Sequence, residues 1–155
     1  MNRGKNRSRN LLPEVPDRIR ADDHHTGIPP TIDIITTGAR SGLKRTTEIW
    51  LTNVSGRIII CGTPAAEEGR GPLDRRDWLA NLIAHPEFVF CLKESVEVRL
   101  SARGSVVADP QERRELMTAP QMKWYRDQVD SVEVLIDQSP IVDVRFTGEF
   151  AWLSS

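Results

Sequence analysis

The densest anion-binding chemistry in this chain lies in one run, Thr36-Thr37-Gly38-Ala39-Arg40-Ser41-Gly42-Leu43-Lys44-Arg45. Three cations, two glycines and hydroxyl side chains fall within a single short loop. Guanidinium forks, hydroxyls and backbone N–H groups that converge in a turn can hold one small anion, such as a phosphate. Taken alone, the same stretch also reads as a solvated β-turn. Other chemistries are thin. His24-His25 has no Cys, His or carboxylate at ligand spacing, so no metal site is expected. There is no Ser-His-Asp set. Cys61 and Cys91 sit inside apolar runs and read as buried thiols, neither nucleophiles nor a disulfide framework. His85, just before Pro86, reads as a surface histidine at a helix end.

The elements that must hold this loop are short strands. Thr31-Ile32-Asp33-Ile34-Ile35 enters it and Thr46–Val54 leaves it, followed by a Ser55-Gly56 hairpin turn. Arg57–Thr63 carries a continuous apolar centre and is expected to be buried on both faces. A polar loop from Pro64 to Leu73 follows; loops of that length are often functional. Asp74 reads as a helix cap before a stripe of Trp78, Leu79, Leu82 and Ile83, with Pro86 as the stop.

Strands are then expected over Glu87–Lys93 and Ser95–Ala102, with a turn at Arg103-Gly104 and a further strand at Ser105–Ala108. Asp109-Pro110-Gln111-Glu112 is a strong helix start: a cap, proline at the first helical position, and Glu three after the cap. That helix runs to about Met117, and Gln121–Val129 reads as a second amphipathic helix. Strand-like runs at Val132–Ile136 and Ile141–Phe146 close the chain. Hairpins between most neighbours imply antiparallel pairing, and this many short strands favours a small barrel. The fold class is mainly β (α+β), with flanking helices.

A chain of 155 residues suits one domain, which at that size buries about 70% of its unfolded surface. The net charge of −1 argues against a dedicated nucleic-acid binder. No apolar run suits a secretory signal or a membrane span, so a cytoplasmic location is expected. Residues 1–30 are rich in Arg, Asn, Asp and Pro and read as a flexible tail, with residues 31–155 as the domain. The basic residues Arg3, Lys5, Arg7 and Arg9 suit a solubilising tail better than a nucleic-acid or membrane-surface contact.

The spacing of two motifs says more than either does alone. Thr36-Thr37-Gly38-x-Arg40-Ser41-Gly42-x-x-Arg45 is followed by a hairpin and a strand ending in Cys61-Gly62. After a loop comes Trp78-x-x-Asn81-Leu82-x-Ala84-x-Pro86. Together they resemble the deazaflavin-dependent nitroreductase and quinone-reductase family of split β-barrels, relatives of the pyridoxamine-phosphate-oxidase-like flavin proteins. The resemblance spans about Ile32 to Met117, including Val-x-x-Asp109-Pro-x-Glu-Arg, and extends weakly to the strand after Pro140.

That resemblance implies an antiparallel split barrel holding a flavin-like cofactor, most often coenzyme F420 (an 8-hydroxy-5-deazaflavin), with FMN or haem as alternatives. Arg40, Ser41, Gly42 and Arg45 would clamp its phosphodiester. Cys61, Gly62 and Thr63 would let the ring lie against backbone, because glycine lacks the Cβ that blocks such an approach. Trp78 would pack near the ring, and Asn81 would fix the loop–helix junction or donate to the cofactor. Trp50, Trp124 and Tyr125 would wall the acceptor, with Tyr125 donating a proton or hydrogen bond.

The implied activity is hydride transfer to a quinone- or nitroaromatic-like acceptor. The alternatives are a non-catalytic module for a cofactor, haem or lipid-like ligand, or an FMN-dependent oxidoreductase, as a monomer or homodimer. The chain departs from the family pattern at Ala39, where a second cation is usual, at Glu48-Ile49-Trp50, and near Thr63, where a lysine is common.

Overall fold

Strands whose residues alternate between apolar and polar can each turn one face inward, and six of them here close into an antiparallel barrel. The computed structural model describes residues 14–20, 29–63, 77–94 and 96–154. The strands are β1 (Thr31–Thr37), β2 (Lys44–Val54), β3 (Arg57–Cys61), β4 (Glu87–Leu92), β5 (Val98–Val106) and β6 (Ile141–Phe146). Around the barrel their order is β1-β2-β3-β6-β5-β4, with β4 returning to β1. The helices are α1 (Glu14–Arg20), α2 (Asp77–Ala84), α3 (Pro110–Thr118), α4 (Lys123–Arg126) and α5 (Val132–Gln138). Short 3-10 turns occupy Pro120–Met122 and Gly148–Ser154.

Two cores share the sheet. Inside the barrel lie Ile32 and Ile34 of β1, Ile58 and Ile60 of β3, Phe90 of β4, Leu100 of β5 and Val144 of β6. Helix α2 adds Trp78, Leu79 and Leu82, and α1 adds Val15 and Ile19. The second core lies outside β3 and β6, where Ile59, Cys61 and Ile141 meet Leu116, Met117, Met122, Tyr125, Leu135 and Ile136. Alternate residues of β3 therefore go to different cores, so the continuous apolar run is buried on both faces, as expected from its sequence. Each fully buried Ile or Phe in such a strand contributes roughly 1.5–3 kcal/mol.

Several local expectations are corrected. Arg103-Gly104 is no turn: β5 runs unbroken through it. Gly104 faces inward, and a Cβ there would sit 3.0 Å from Val142 Cγ1. The glycine thus serves a close approach inside the barrel. Val132–Ile136 is helical, because Ser131 caps it by accepting from Glu133 N and its buried residues, Leu135 and Ile136, face α3 and α4. The expected helix over Gln121–Val129 reduces to the 3-10 turn and α4. In α2 the buried stripe is Trp78, Leu79, Asn81 and Leu82, while Ile83 is exposed. The start of that helix at Asp74 and the polar loop from Pro64 lie outside the described residues. Within the N-terminal segment, α1 packs on the barrel, and Asn53 Nδ2 donates to Ile19 O at 3.0 Å.

The second core is tied to the barrel by one buried cation. Arg113, on α3, donates Nε to Ile136 O (2.6 Å) and Nη1 to Val107 O (2.9 Å). Its Nη2 donates to Ser139 O (2.7 Å) and Leu135 O (3.5 Å). Burial lowers its pKa, but a guanidinium stays charged at any ordinary pH. Replacing Arg113 with Ala strands several carbonyls and should destabilise the fold by about 2–4 kcal/mol. Arg113→Lys should recover only part of that, since one ammonium cannot span the same fork. Urea denaturation of both variants checks this, with the midpoint falling at constant slope.

Candidate functional site

The basic loop is a tight turn whose shape rests on its glycines and on one partner from α2. Gly38 N donates to Leu43 O (2.7 Å), and Gly42 N donates to Gly38 O (3.0 Å). Leu43 N donates to Ser41 Oγ at 3.1 Å. A Cβ on Gly38 would come within 2.4 Å of Ser41 Oγ and 3.2 Å of Leu43 O. Gly42 has φ +69°, a conformation that favours glycine. Gly42 is thus favoured by its backbone conformation, and Gly38 by the close approach of Ser41 and Leu43.

Asn81 crosses from α2 to the loop. Its Oδ1 accepts from Ala39 N (2.8 Å), and its Nδ2 donates to Thr36 Oγ1 (3.1 Å). Between loop and helix lies a cleft of about 760 Å³, lined by residues that include Arg40, Ser41, Arg45, Asp77, Trp78 and Asn81. Of the expected cofactor-binding residues, Arg40, Ser41, Arg45, Trp78 and Asn81 therefore meet around one space. Gly42 shapes the loop beside it. No carboxylate among the described residues pairs with Arg40 or Arg45. Such a pair of cations beside a glycine turn suits a phosphate. Arg70, Arg75 and Arg76 of the preceding loop lie outside the described residues.

The remaining expected residues sit elsewhere. None of Cys61, Gly62 and Thr63 lines this cleft. Cys61 faces the second core, and Gly62 N donates to Pro140 O at 3.1 Å. Tyr125 is fully buried, and its hydroxyl donates to Cys61 O at 3.1 Å. The expected acceptor wall is a packed aromatic cluster: Trp50 and Trp124 lie 4.9 Å apart, centroid to centroid, and Trp124 and Tyr125 5.1 Å. These rings rest on the second core, with Trp50 and Trp124 partly buried.

Glu48, an acid close to the loop in sequence, is drawn away from it. Across the barrel wall Lys93 bridges Glu48 and Asp33, the latter at 2.9 Å. Those two acids raise the Lys93 pKa. Among the described residues there is no group of three or more potential metal-ligating side chains. No helix among them is long and apolar enough to cross a membrane.

Cleft residues absent from the expected binding set include Asp77, Thr46 and Thr47. Another missed residue, Thr36, acts through Asn81. The signal for it was present, because Thr36 continues the inward alternation of Ile32 and Ile34 along β1.

No protein-family model matches the sequence, and no curated protein matches it significantly. Solved structures do. An F420 reductase superposes with a TM-score of 0.53 at 16% identity, covering 88% of this chain and 97% of its own. A putative 5-nitroimidazole antibiotic resistance protein from Bacteroides thetaiotaomicron gives 0.52 at 10% identity, covering 89% and 83%. The haem storage protein HutZ from Vibrio cholerae gives 0.52 at 11% identity, covering 89% and 91%. At such identities the likeness shows the fold alone: a split β-barrel with flanking helices.

Burial holds the Tyr125 phenol well above its ordinary pKa. The neutral phenol is therefore favoured in the fold, and its contribution is complete below the unfolded phenol pKa of about 10. It is lost as pH rises beyond that value. Because Tyr125 is the chain's one tyrosine, near-ultraviolet absorbance reads its ionisation without a second phenol contributing. Tyrosinate should appear only together with unfolding; ionisation in the folded state would refute the buried placement.

Proposed function

We propose that this chain binds a flavin-like cofactor, coenzyme F420 in the leading reading, and passes a hydride from its reduced form to a quinone- or nitroaromatic-like acceptor. The observation that carries the reading is the cleft in which Arg40, Ser41 and Arg45 face Trp78 and Asn81. The residues fit the group. Two cations with no carboxylate partner among the described residues, a glycine turn and an aromatic wall suit a phosphate attached to a planar ring. When bound, the cofactor supplies the hydride chemistry. Arg40, Ser41, Gly42 and Arg45 hold the phosphodiester, and Trp78 keeps water from one side of the cleft. Tyr125, committed to Cys61 O inside the second core, stays outside the proton path in this reading. Residues 31–155 form the binding domain, with the N-terminal segment 1–30 contributing α1 to its packing.

A second reading is binding without turnover. In its favour, the described lining of the cleft contains no phenol, thiol or imidazole to supply a proton. Binding of reduced cofactor with no oxidation by any quinone or nitro compound would select this reading.

Titration of the purified protein with F420, FMN and haem tests the assignment. F420 should bind, and Arg40→Ala combined with Arg45→Ala should weaken it by at least about tenfold, because charge-assisted hydrogen bonds to the phosphate are lost. Preferential binding of FMN or haem would reassign the cofactor. Failure of all three to bind tighter than high micromolar would sink the reading.

A further inference from the structure

We infer that Asn81 is a positioning residue: it latches the basic loop into its anion-ready shape through the buried hydroxyl of Thr36, without itself being a ligand contact. The inference rests on the proposed cofactor site only for its ligand-binding arm.

The chemistry of the two partners fixes how Asn81 is oriented. A backbone N–H can only donate, so the group facing Ala39 N at 2.8 Å must be the side-chain oxygen. The amide nitrogen then faces Thr36 Oγ1 at 3.1 Å, where a hydroxyl can accept. Both heavy atoms of the Asn81 amide are thus engaged within the protein. Asn81 is only 6% exposed and Thr36 is fully buried. In such surroundings an unmade hydrogen bond is costly, so the arrangement has one strongly preferred state.

Thr36 is the last inward-facing residue of β1, and Ala39 is the first residue beyond Gly38. Asn81 therefore holds the loop on both sides of its first glycine. Its own position is set by Trp78, Leu79 and Leu82, which anchor α2 in the barrel core. The consequence is a loop whose shape is determined before any anion arrives. Preorganisation of this kind improves affinity by sparing the ordering cost at binding.

Thr36 makes the inference testable, because it is not among the residues lining the cleft. Thr36→Val keeps the shape and removes the acceptor; Thr36→Ser keeps the hydroxyl. In ligand-free protein, hydrogen exchange at the Ala39 amide should quicken about five- to tenfold in Thr36→Val and in Asn81→Ala, as expected for losing one buried hydrogen bond. Thr36→Ser should stay near the parent rate. F420 affinity should fall by similar factors in Thr36→Val and Asn81→Ala, and the double variant should be little worse than either.

If Thr36→Val changes neither exchange nor affinity, the latch is overturned. It is overturned equally if Asn81→Ala weakens F420 binding while Ala39 exchange stays at the parent rate, since Asn81 would then be a direct contact. If exchange responds as expected but the parent protein binds neither F420 nor FMN, the latch stands and the cofactor assignment fails.

Discussion

A buried guanidinium ties together the ends of two strands of this barrel. β6 enters between β3 and β5, and hydrogen bonds from Arg113 surround the point where it begins. One fork of nitrogen atoms holds Val107 O at the exit of β5 and, across the chain, Ser139 O just before β6. Val107 N also donates to Ile141 O, so the two strand ends are joined directly as well. The remaining donors satisfy carbonyls at the end of α5, groups that a helix terminus leaves without internal partners. A one-residue slip of β6 would reverse which residues face the barrel and which face the helices. Because Val142, Val144 and Phe146 of β6 face the barrel and alternate with Asp143 and Arg145, such a slip would turn charged side chains into the barrel core. Arg113 and the inward-facing alternation of β6 therefore favour the same register.

The cleft inherits its rigidity from that closed barrel. Helix α2 buries Trp78, Leu79 and Leu82 in the interior core and so presents Asn81 to the loop at a fixed height. The loop adds constraints of its own at Gly38 and Gly42. Arg40 and Arg45 are held by backbone that has little freedom to rearrange, while their side chains remain exposed. The acid that sequence proximity places beside this loop, Glu48, is engaged by Lys93 on the wall of the barrel. Glu48 therefore does not pair with the arginines of the loop, although Asp77 lines the same cleft.

Much of the architecture was legible in the residues themselves. The apolar run of β3 announced burial on two faces, and Asp109 with Pro110 marked the start of α3, where its carboxylate accepts from Glu112 N at 2.9 Å. Three readings failed for identifiable reasons. Arg103-Gly104 has the composition of a turn, but Gly104 faces the barrel interior, where a Cβ would press on Val142 Cγ1 at 3.0 Å. Val132 and Val134 carry β-branched side chains, yet the Ser131 cap and the burial of Leu135 and Ile136 give a helix. Gln121–Val129 reads as one amphipathic helix, but the chain there forms a 3-10 turn and the short α4, and packing carries the Tyr125 phenol into the second core.

The pairing of a basic loop with a Trp-x-x-Asn helix came only from the family resemblance; by itself, the sequence determined the strand periodicity and the two glycine-dependent turns. These follow from local rules: side-chain alternation, backbone freedom and capping chemistry act within a few residues. The tertiary structure alone decided that Asn81 spends its amide on Thr36 and Ala39, that Glu48 answers Lys93, and that Arg113 joins two strand ends. Apart from Arg113 to Val107, six residues apart, each of those contacts spans 26 residues of chain or more. Their partners are chosen by which surfaces the closed barrel brings within hydrogen-bonding distance, and no local pattern carries that information.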